Sequence, residues 1–145
     1  MILADTSAWV EFDRGTGTPA DRALTMLVAQ GGPLAVTGPV VMGVLAGARS
    51  DSRAAELRRL FYSFALIPVD PVADFEAAAA VSRACRRSGT TPRGLLDCLI
   101  ASVAWRAGAS LLTTDADLER VTAVVGIDLH PLPTGSGPTC PLPTR

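Results

Sequence analysis

The sequence alternates strictly between short apolar runs and longer segments with helical periodicity, and this alternation restricts the fold more than any other feature. The apolar runs lie at residues 2–4, 34–36, 66–69, 110–113 and 127–129. Helical spacing or helix-capping residues predict helices at residues 8–12, 19–30, 39–45, 52–64, 72–88, 95–107 and 115–125. Strands that alternate with helices form a mainly parallel sheet. We therefore predict a three-layer α/β fold, with helices flanking a sheet of four to five strands.

The chain is predicted to form one domain followed by a short tail. Its 145 residues, 48% of them apolar, suffice for one buried core. Residues 133–145 contain four prolines and two glycines, so we expect a domain over residues 1–132 and a flexible tail over 133–145. No apolar stretch approaches the roughly 20 residues of a membrane span, and no basic segment typical of a signal peptide precedes the first apolar run. We expect a cytoplasmic protein that does not enter a membrane.

Composition excludes several classes of site. All 13 basic residues are arginine, which rules out mechanisms that need a lysine, such as the P-loop or the phosphate-accepting receiver domain. Cys85, Cys98 and Cys140 form no C-x-x-C pair, so neither a disulfide framework nor a zinc ribbon is indicated. We expect Cys85 and Cys98 to be small core residues. The net charge of −1 conceals an arginine-rich middle section, which favours a local basic surface.

Four aspartates occupy positions that the predicted fold brings together. Asp5 follows the first strand, Asp115 and Asp117 follow the fourth, and Asp97 lies in the first turn of a helix. Ligands of open parallel sheets bind outside the carboxyl ends of the strands. Clustered carboxylates repel one another and are stabilised by a hard divalent cation, which indicates Mg²⁺ or Mn²⁺. Such a centre suits phosphodiester hydrolysis, in which metal ions activate water and stabilise the leaving oxygen.

Simpler interpretations of single residues stay open. Each aspartate on its own could cap a helix or stabilise a turn, and Ser7 could be a helix cap or a hydrogen-bond donor to a ligand carboxylate. His130 is expected at the surface rather than in a site. Arg93 precedes Asp97 in a turn-rich loop and is the best candidate for a phosphate contact.

Four segments together resemble the PIN-domain ribonucleases, specifically the VapC-type toxins of bacterial toxin–antitoxin pairs. The resemblance covers residues 1 to about 132, and the matching segments read ILADTSAWV (2–10), PVVMGVLAGAR (39–49), DCLIA (97–101) and TTDADL (113–118). It implies a PIN-like parallel sheet flanked by helices and Mg²⁺- or Mn²⁺-dependent cleavage of RNA, often tRNA or ribosomal RNA. It also implies a homodimer and a VapB-type antitoxin whose C-terminal segment covers the active site. By motif match, Asp5, Asp97 and Asp115 are the metal-site acids and Asp117 is an additional one.

The sequence departs from this family at one catalytic position. A glutamate of the family's second motif is replaced by Gly43. The replacement removes a carboxylate from the site and puts a glycine inside a helix, at a cost of about 0.5–1 kcal/mol relative to alanine. The sequence offers no physical reason for a glycine here. We therefore expect an impaired ribonuclease, through natural decay of the site or a deliberate substitution.

A second hypothesis describes a non-catalytic module that binds RNA or an antitoxin peptide through arginines. Arg49, Arg53 and Arg93 are then the contacts, and Arg49 and Arg93 are the RNA-binding residues we favour. Under this hypothesis RNA affinity falls steeply with salt and is independent of metal. Under the first hypothesis, cleavage requires metal and rises when Gly43 is changed to Glu.

Overall fold

The computed structural model describes residues 1–134, and these form a four-stranded sheet with seven helices. The strands are β1 (Ile2–Ala4), β2 (Leu34–Thr37), β3 (Ala65–Ile67) and β4 (Ser110–Leu112). The helices are α1 (Thr6–Arg14), α2 (Pro19–Gln30), α3 (Gly38–Ala46), α4 (Asp51–Phe61), α5 (Ala73–Arg87), α6 (Leu95–Ala107) and α7 (Ala116–Val125). The predicted tail lies outside the described residues from position 135 onward, as does Cys140. No described helix is long and apolar enough to cross a membrane.

The sheet is parallel throughout and has the order β3-β2-β1-β4. Leu3 of β1 pairs with Ala35 on one side and Leu111 on the other, so β1 and β4 end side by side. The backbone continues this contact past the strand, because the Asp5 N–H donates to the Leu112 carbonyl at 3.0 Å. The prediction of an α/β fold with a parallel sheet is confirmed, and the residues after β1 and β4 share one edge.

An aromatic cluster fixes α1 against α4. Trp9 is fully buried. Its ring meets Phe12 at 5.4 Å and Phe61 at 5.0 Å between centroids, both edge-to-face. Aromatic pairs in this arrangement contribute about 0.5–1.5 kcal/mol beyond their buried area. The cluster therefore holds the first turn of α1, which begins directly after Asp5, in a fixed position.

Two predicted elements are wrong in extent or kind. The expected strand at residues 127–129 is a single bridge between Leu111 and Leu129. Only the Leu111 N–H to Asp128 carbonyl bond and the His130 N–H to Leu111 carbonyl bond support it, and Pro131 follows without an N–H to extend the ladder. The helix expected at 52–64 ends at Phe61, since the chain turns there into β3.

Helices α5 and α6 form an antiparallel hairpin joined by residues 88–94. Asp74 at the start of α5 pairs with Arg106 near the end of α6, and Ala78, Cys98 and Leu99 pack together in between. Cys85 and Cys98 are buried, as predicted. The connecting loop lies next to the first turn of α6, so it stands at the same end of the molecule as Asp97.

Candidate metal centre

Three of the four predicted acids converge at the carboxyl edge of the sheet. Asp97, Asp115 and Asp117 each place a carboxylate oxygen within 4.8 Å of the others. Asp97 extends from the first turn of α6, whereas Asp115 caps the N-terminus of α7 and Asp117 lies in its first turn. Two helix N-termini thus face the cluster, and their partial positive charge favours carboxylates. This arrangement follows from the register of β1 and β4 and the hairpin of α5 and α6.

Asp5 lies beside this group rather than within it. It is 4% exposed and caps α1, accepting hydrogen bonds from the Ala8 N–H at 3.0 Å and the Ser7 hydroxyl at 2.7 Å. The Thr113 hydroxyl donates to its second oxygen at 2.8 Å. None of its oxygens belongs to the set within 4.8 Å. The hydrogen-bond donors to Asp5 in the described chain, the Ala8 N–H and the Ser7 and Thr113 hydroxyls, are all neutral, so no positive charge pairs with this carboxylate.

Ser7 and Thr113 connect Asp5 to the α7 acids. The Ser7 hydroxyl accepts from the Thr114 N–H at 3.0 Å, and the Thr113 hydroxyl accepts from the Asp115 N–H at 3.0 Å. The interpretation of Ser7 as a helix cap is wrong, because Asp5 is the capping residue of α1. Ser7 and Thr113 instead fix the backbone that presents Asp115.

The centre carries electrostatic strain. Burial, with a smaller effect of the Asp115 charge, raises the pKa of Asp5 above its ordinary value, although the hydrogen bonds from Ala8, Ser7 and Thr113 lower it. Burial and the neighbouring charges of Asp115, Asp5 and Asp117 raise the pKa of Asp97 to about 6, against a smaller opposing effect of Arg93. Within residues 1–134, no hydrogen bond or salt bridge reaches the Asp97 carboxylate. A cation added beside the Asp97 carboxylate would stabilise its charged form.

Two arginines partly neutralise the α7 side of the centre. Arg93 donates from Nε to Asp117 and from Nη2 to Asp115 at 3.0 Å. Arg120 donates to the other oxygen of Asp117. The pKa of Asp117 is lowered, chiefly by Arg93. Sequence reasoning missed Arg120, although its position three residues after Asp117 on a helix was a usable signal.

An open cleft of about 520 Å³ lies beside Asp115 and Asp117 at the sheet edge. The lining residues are Ser7, Arg93, Thr114, Asp115, Ala116, Asp117 and Arg120. Carboxylate oxygens are the ligands that Mg²⁺ and Mn²⁺ prefer, at about 2.1 Å for Mg²⁺, which puts opposite ligands about 4.2 Å apart. The spacing within 4.8 Å among Asp97, Asp115 and Asp117 therefore fits such an ion after small side-chain movements.

Gly43 packs closely against Thr6, the residue that follows Asp5. A Cβ atom at position 43 would lie 2.8 Å from the Thr6 hydroxyl oxygen and 3.1 Å from its methyl carbon. These separations are shorter than side chains tolerate without displacement. The sequence interpretation that glycine has no physical reason here is thus corrected, because Gly43 permits the contact between α3 and α1. The same contact means that the Cβ of any side chain at position 43 would meet Thr6, the residue that follows Asp5.

The arginines proposed for RNA binding differ in how they are held. Arg53 donates to Asp13 at 2.6 Å and to Glu56 at 2.7 Å, and its side chain is 21% exposed. Arg49 is 69% exposed and lies 4.0 Å from Asp13. Arg53 is therefore part of the junction between α1 and α4, whereas Arg49 can turn outward to a ligand.

Comparison with known proteins places this geometry in a family. The model of the PIN domain matches residues 2–124. The VapC ribonuclease Mb1587 of Mycobacterium bovis and the ribonuclease VapC11 of Mycobacterium tuberculosis are each 40% identical to this chain over 128 residues, which is 88% of this chain and 96% of the relative.

Solved structures share the fold at low sequence identity. The crystal structure of VapBC2 from Rickettsia felis bound to a DNA fragment from their promoter matches with a TM-score of 0.69 at 18% identity, covering 90% of this chain and 98% of that one. A toxin–antitoxin complex from Klebsiella pneumoniae matches with a TM-score of 0.61 at 21% identity, covering 79% of this chain and 87% of that one. At these identities the likeness shows the fold alone.

Proposed function

Because this chain belongs to the PIN domain family, and within it to the VapC ribonucleases, we propose that it is a Mg²⁺- or Mn²⁺-dependent endoribonuclease toxin of a toxin–antitoxin pair. The observation that carries the metal dependence is the convergence of Asp97, Asp115 and Asp117, the last two of which line an open cleft, while Asp97 forms no salt bridge with any described residue. We propose tRNA or ribosomal RNA as the substrate class and the cytoplasm as the compartment.

In the proposed phosphodiester hydrolysis, some described residues would bind the metal and others would orient the metal ligands. Asp97 and Asp115 would hold the metal, with Asp117 as a further ligand and Asp5 as a charged neighbour; when bound, the ion supplies an activated water and stabilises developing negative charge. Asp5, Ser7 and Thr113 orient the backbone of Asp115 through their hydrogen bonds. No histidine of residues 1–134 lines the cleft, and the sequence contains no lysine.

We further propose a VapB-type antitoxin as partner and a homodimer as the assembly. The support for the antitoxin is the set of structural neighbours, one of which is a toxin–antitoxin complex. The cleft is open, and its exposed arginine, Arg93, stands beside the acids. A partner segment that enters the cleft would therefore block access of RNA to the acids.

We propose that Gly43 lowers the rate of RNA cleavage. Gly43 removes the family's second-motif carboxylate, so the chain as it stands is impaired. Restoring glutamate alone would collide with Thr6, whereas removal of the Thr6 hydroxyl and methyl leaves only its Cβ, at 3.6 Å from a new Cβ. The matched revertant is therefore Thr6→Ala/Gly43→Glu, with Thr6→Ala as its control.

The test is an RNA-cleavage assay of the unaltered chain, Thr6→Ala and Thr6→Ala/Gly43→Glu, each with Mg²⁺, with Mn²⁺ and with a chelator. We expect the double variant to cleave about a hundredfold faster than Thr6→Ala, since an added metal ligand acts on transition-state charge. The gain should disappear with chelator and when Asp115→Asn is added to the double variant. Cleavage that survives chelation, or a folded double variant no faster than Thr6→Ala, would contradict the proposal.

A non-catalytic module that binds RNA or an antitoxin peptide is the second candidate. Two observations favour it: Gly43 removes a site carboxylate, and Arg93 occupies the α7 side of the centre. It predicts RNA binding that is salt-dependent and unchanged by metal, in the revertant as well as in the unaltered chain.

A further inference from the structure

The Arg93 guanidinium pairs with two of the three clustered acids, Asp115 and Asp117. It bridges them, since Nε contacts Asp117 and Nη2 contacts both oxygens of Asp115 at 3.0 and 3.3 Å. The Arg93 side chain is nevertheless 75% exposed, whereas that of Asp117 is 6% exposed. The arginine therefore covers these acids on the side that faces solvent.

A divalent ion and this guanidinium compete for the same oxygens. Oδ1 of Asp115 already accepts from the Asp117 N–H at 2.8 Å as well as from Arg93. Both oxygens of Asp117 are also engaged, one by Arg93 and the other by Arg120. Two like charges at a contact distance repel each other strongly in a partly buried site. A metal bound by Asp115 and Asp117 would therefore lie beside these guanidinium groups, and the repulsion favours the departure of one of them.

The two arginines are not equivalent. Arg120 belongs to α7, three residues after Asp117, and that acid is the only carboxylate it pairs with among residues 1–134. Arg93 lies in the loop of residues 88–94 between Pro92 and Gly94, and it is the only residue of that loop whose side chain reaches the acids in the described chain. The Arg93 side chain is 75% exposed and that of Arg120 is 56% exposed, and a side chain carried by a loop moves at lower cost than one carried by a packed helix.

We infer that Arg93 is an exchangeable counter-ion that neutralises Asp115 and Asp117 in the metal-free protein and is released when a divalent cation binds. This inference rests on the proposed metal-dependent function of the same site. The released guanidinium remains tethered four residues before Asp97, so it is placed to pair with a phosphate of the RNA. Arg93 thus pairs with Asp115 and Asp117 in the metal-free protein and with the RNA phosphate once the metal is bound, and it acts as a positioning residue.

The direct test follows the Nε–H signals of ¹⁵N-labelled arginine by NMR in the full chain during a Mg²⁺ titration, with Arg93→Lys used to assign the Arg93 signal. Arg106 is the internal control, because its Nε donates to Asp74 at 2.8 Å far from the centre. We expect the Arg93 signal to shift or exchange away as Mg²⁺ binds, while the Arg106 signal stays unchanged. An Arg93 signal that persists in the metal-saturated protein would overturn the inference.

A second measurement separates bridging geometry from net charge. Arg93→Gln removes the charge, whereas Arg93→Lys keeps it but cannot bridge two carboxylates through a planar fork. If Arg93 competes by bridging, both variants bind Mn²⁺ more tightly than the unaltered chain, by about fivefold for Gln and less for Lys. If Lys equals the unaltered chain and only Gln binds more tightly, the charge alone acts and the bridging role is refuted.

Mn²⁺ binding and the Arg93 signal together distinguish a missing metal centre from a metal centre that does not release Arg93. Absence of Mn²⁺ binding by the unaltered chain and by both Arg93 variants would contradict the metal centre itself. Mn²⁺ binding accompanied by an unmoved Arg93 signal would leave the metal centre standing and overturn only the exchange of the arginine.

Discussion

A carboxylate lies beside each end of helix α6, the buried Asp74 of α5 near its C-terminus and the half-buried Asp97 in its first turn, and the two charges are compensated in opposite ways. Near its C-terminus, Arg106 donates to both oxygens of Asp74, at 2.8 and 2.7 Å, and to the Pro68 carbonyl at 2.6 Å. Asp74 is 1% exposed, and the Arg106 hydrogen bonds lower its pKa. At the N-terminus, Asp97 faces other carboxylates without a hydrogen bond from any described residue, and its pKa rises to about 6.

The Asp74–Arg106 contact is a structural ion pair, whereas the surroundings of Asp97 are those of a cation-binding site. The Asp74 pair satisfies its charges within the chain and ties the beginning of α5 to the end of α6. The Asp97 end leaves negative charge uncompensated, which costs stability unless a cation from outside the chain supplies the balance. The comparison predicts that substitutions at the two ends change the free energy of unfolding in opposite directions.

The largest effect on stability is expected at Asp74. Asp74→Asn removes the charge that Arg106 pairs with and presents an N–H group toward donors, so the free energy of unfolding should fall by about 2 kcal/mol. Urea denaturation at pH 7 measures it, with Glu76→Gln on the exposed side of α5 as the matched control. Equal stability of Asp74→Asn and the control would show that the pair does not hold the hairpin.

The same pair predicts the response to acid. The pKa of Asp74 in the folded chain lies below its ordinary value of 3.8, so its stabilising contribution is complete above that value and is lost as the pH falls through the folded-state pKa. The stability gap between the unaltered chain and Asp74→Asn should therefore be constant from pH 7 to about pH 5 and shrink below about pH 4. Urea titrations over this range test the sign, and a gap that widens on acidification is incompatible with it.

A smaller effect of opposite sign is expected at Asp97. Asp97→Asn removes one of the repelling charges, so in the presence of chelator the free energy of unfolding should rise by about 1 kcal/mol after allowance for solvent screening. Added Mg²⁺ should then stabilise the unaltered chain more than the variant, because only the former keeps the full set of ligands. Thermal unfolding with and without Mg²⁺ gives both values. A variant that is less stable in chelator would show that Asp97 is compensated within the chain.

The smallest effect concerns the arginines outside the centre. Arg49→Gln should reduce the slope of log RNA affinity against log salt by about 1 without altering stability, because Arg49 is exposed and loosely paired. Arg53→Gln should instead lower stability, since Arg53 donates to Asp13 and Glu56. RNA titrations at several salt concentrations and urea denaturation distinguish the two. A full salt slope in Arg49→Gln would remove Arg49 from the RNA surface.

Most of the fold could be predicted from the sequence because it depends on local signals. Capping residues and apolar periodicity predicted the first and last residues of α2 and α6 to within a residue or two. Short apolar runs predicted β1, β2 and β4. The fifth strand was wrong because its ladder depends on Pro131 and on the partner strand rather than on the apolar run itself. The end of α4 depended in the same way on the turn into β3.

The site was predictable only in part. The rule that ligands bind at the carboxyl ends of strands predicted where Asp97, Asp115 and Asp117 meet. The contact between Gly43 and Thr6 could not be predicted, because it depends on how closely α3 approaches α1. The pairing of Arg93 with Asp115 likewise depends on the path of a loop, which carries no periodic signal.

The metal centre is tested most directly by counting bound Mn²⁺ by electron paramagnetic resonance in the unaltered chain, Asp97→Asn and Asp74→Asn, with circular dichroism to confirm folding. We expect specific Mn²⁺ binding by the unaltered chain and by Asp74→Asn, and its loss or severe weakening in Asp97→Asn. Equal Mn²⁺ binding by all three proteins, or none in the unaltered chain, would contradict the claim that the uncompensated acids at the start of α6 form a metal centre.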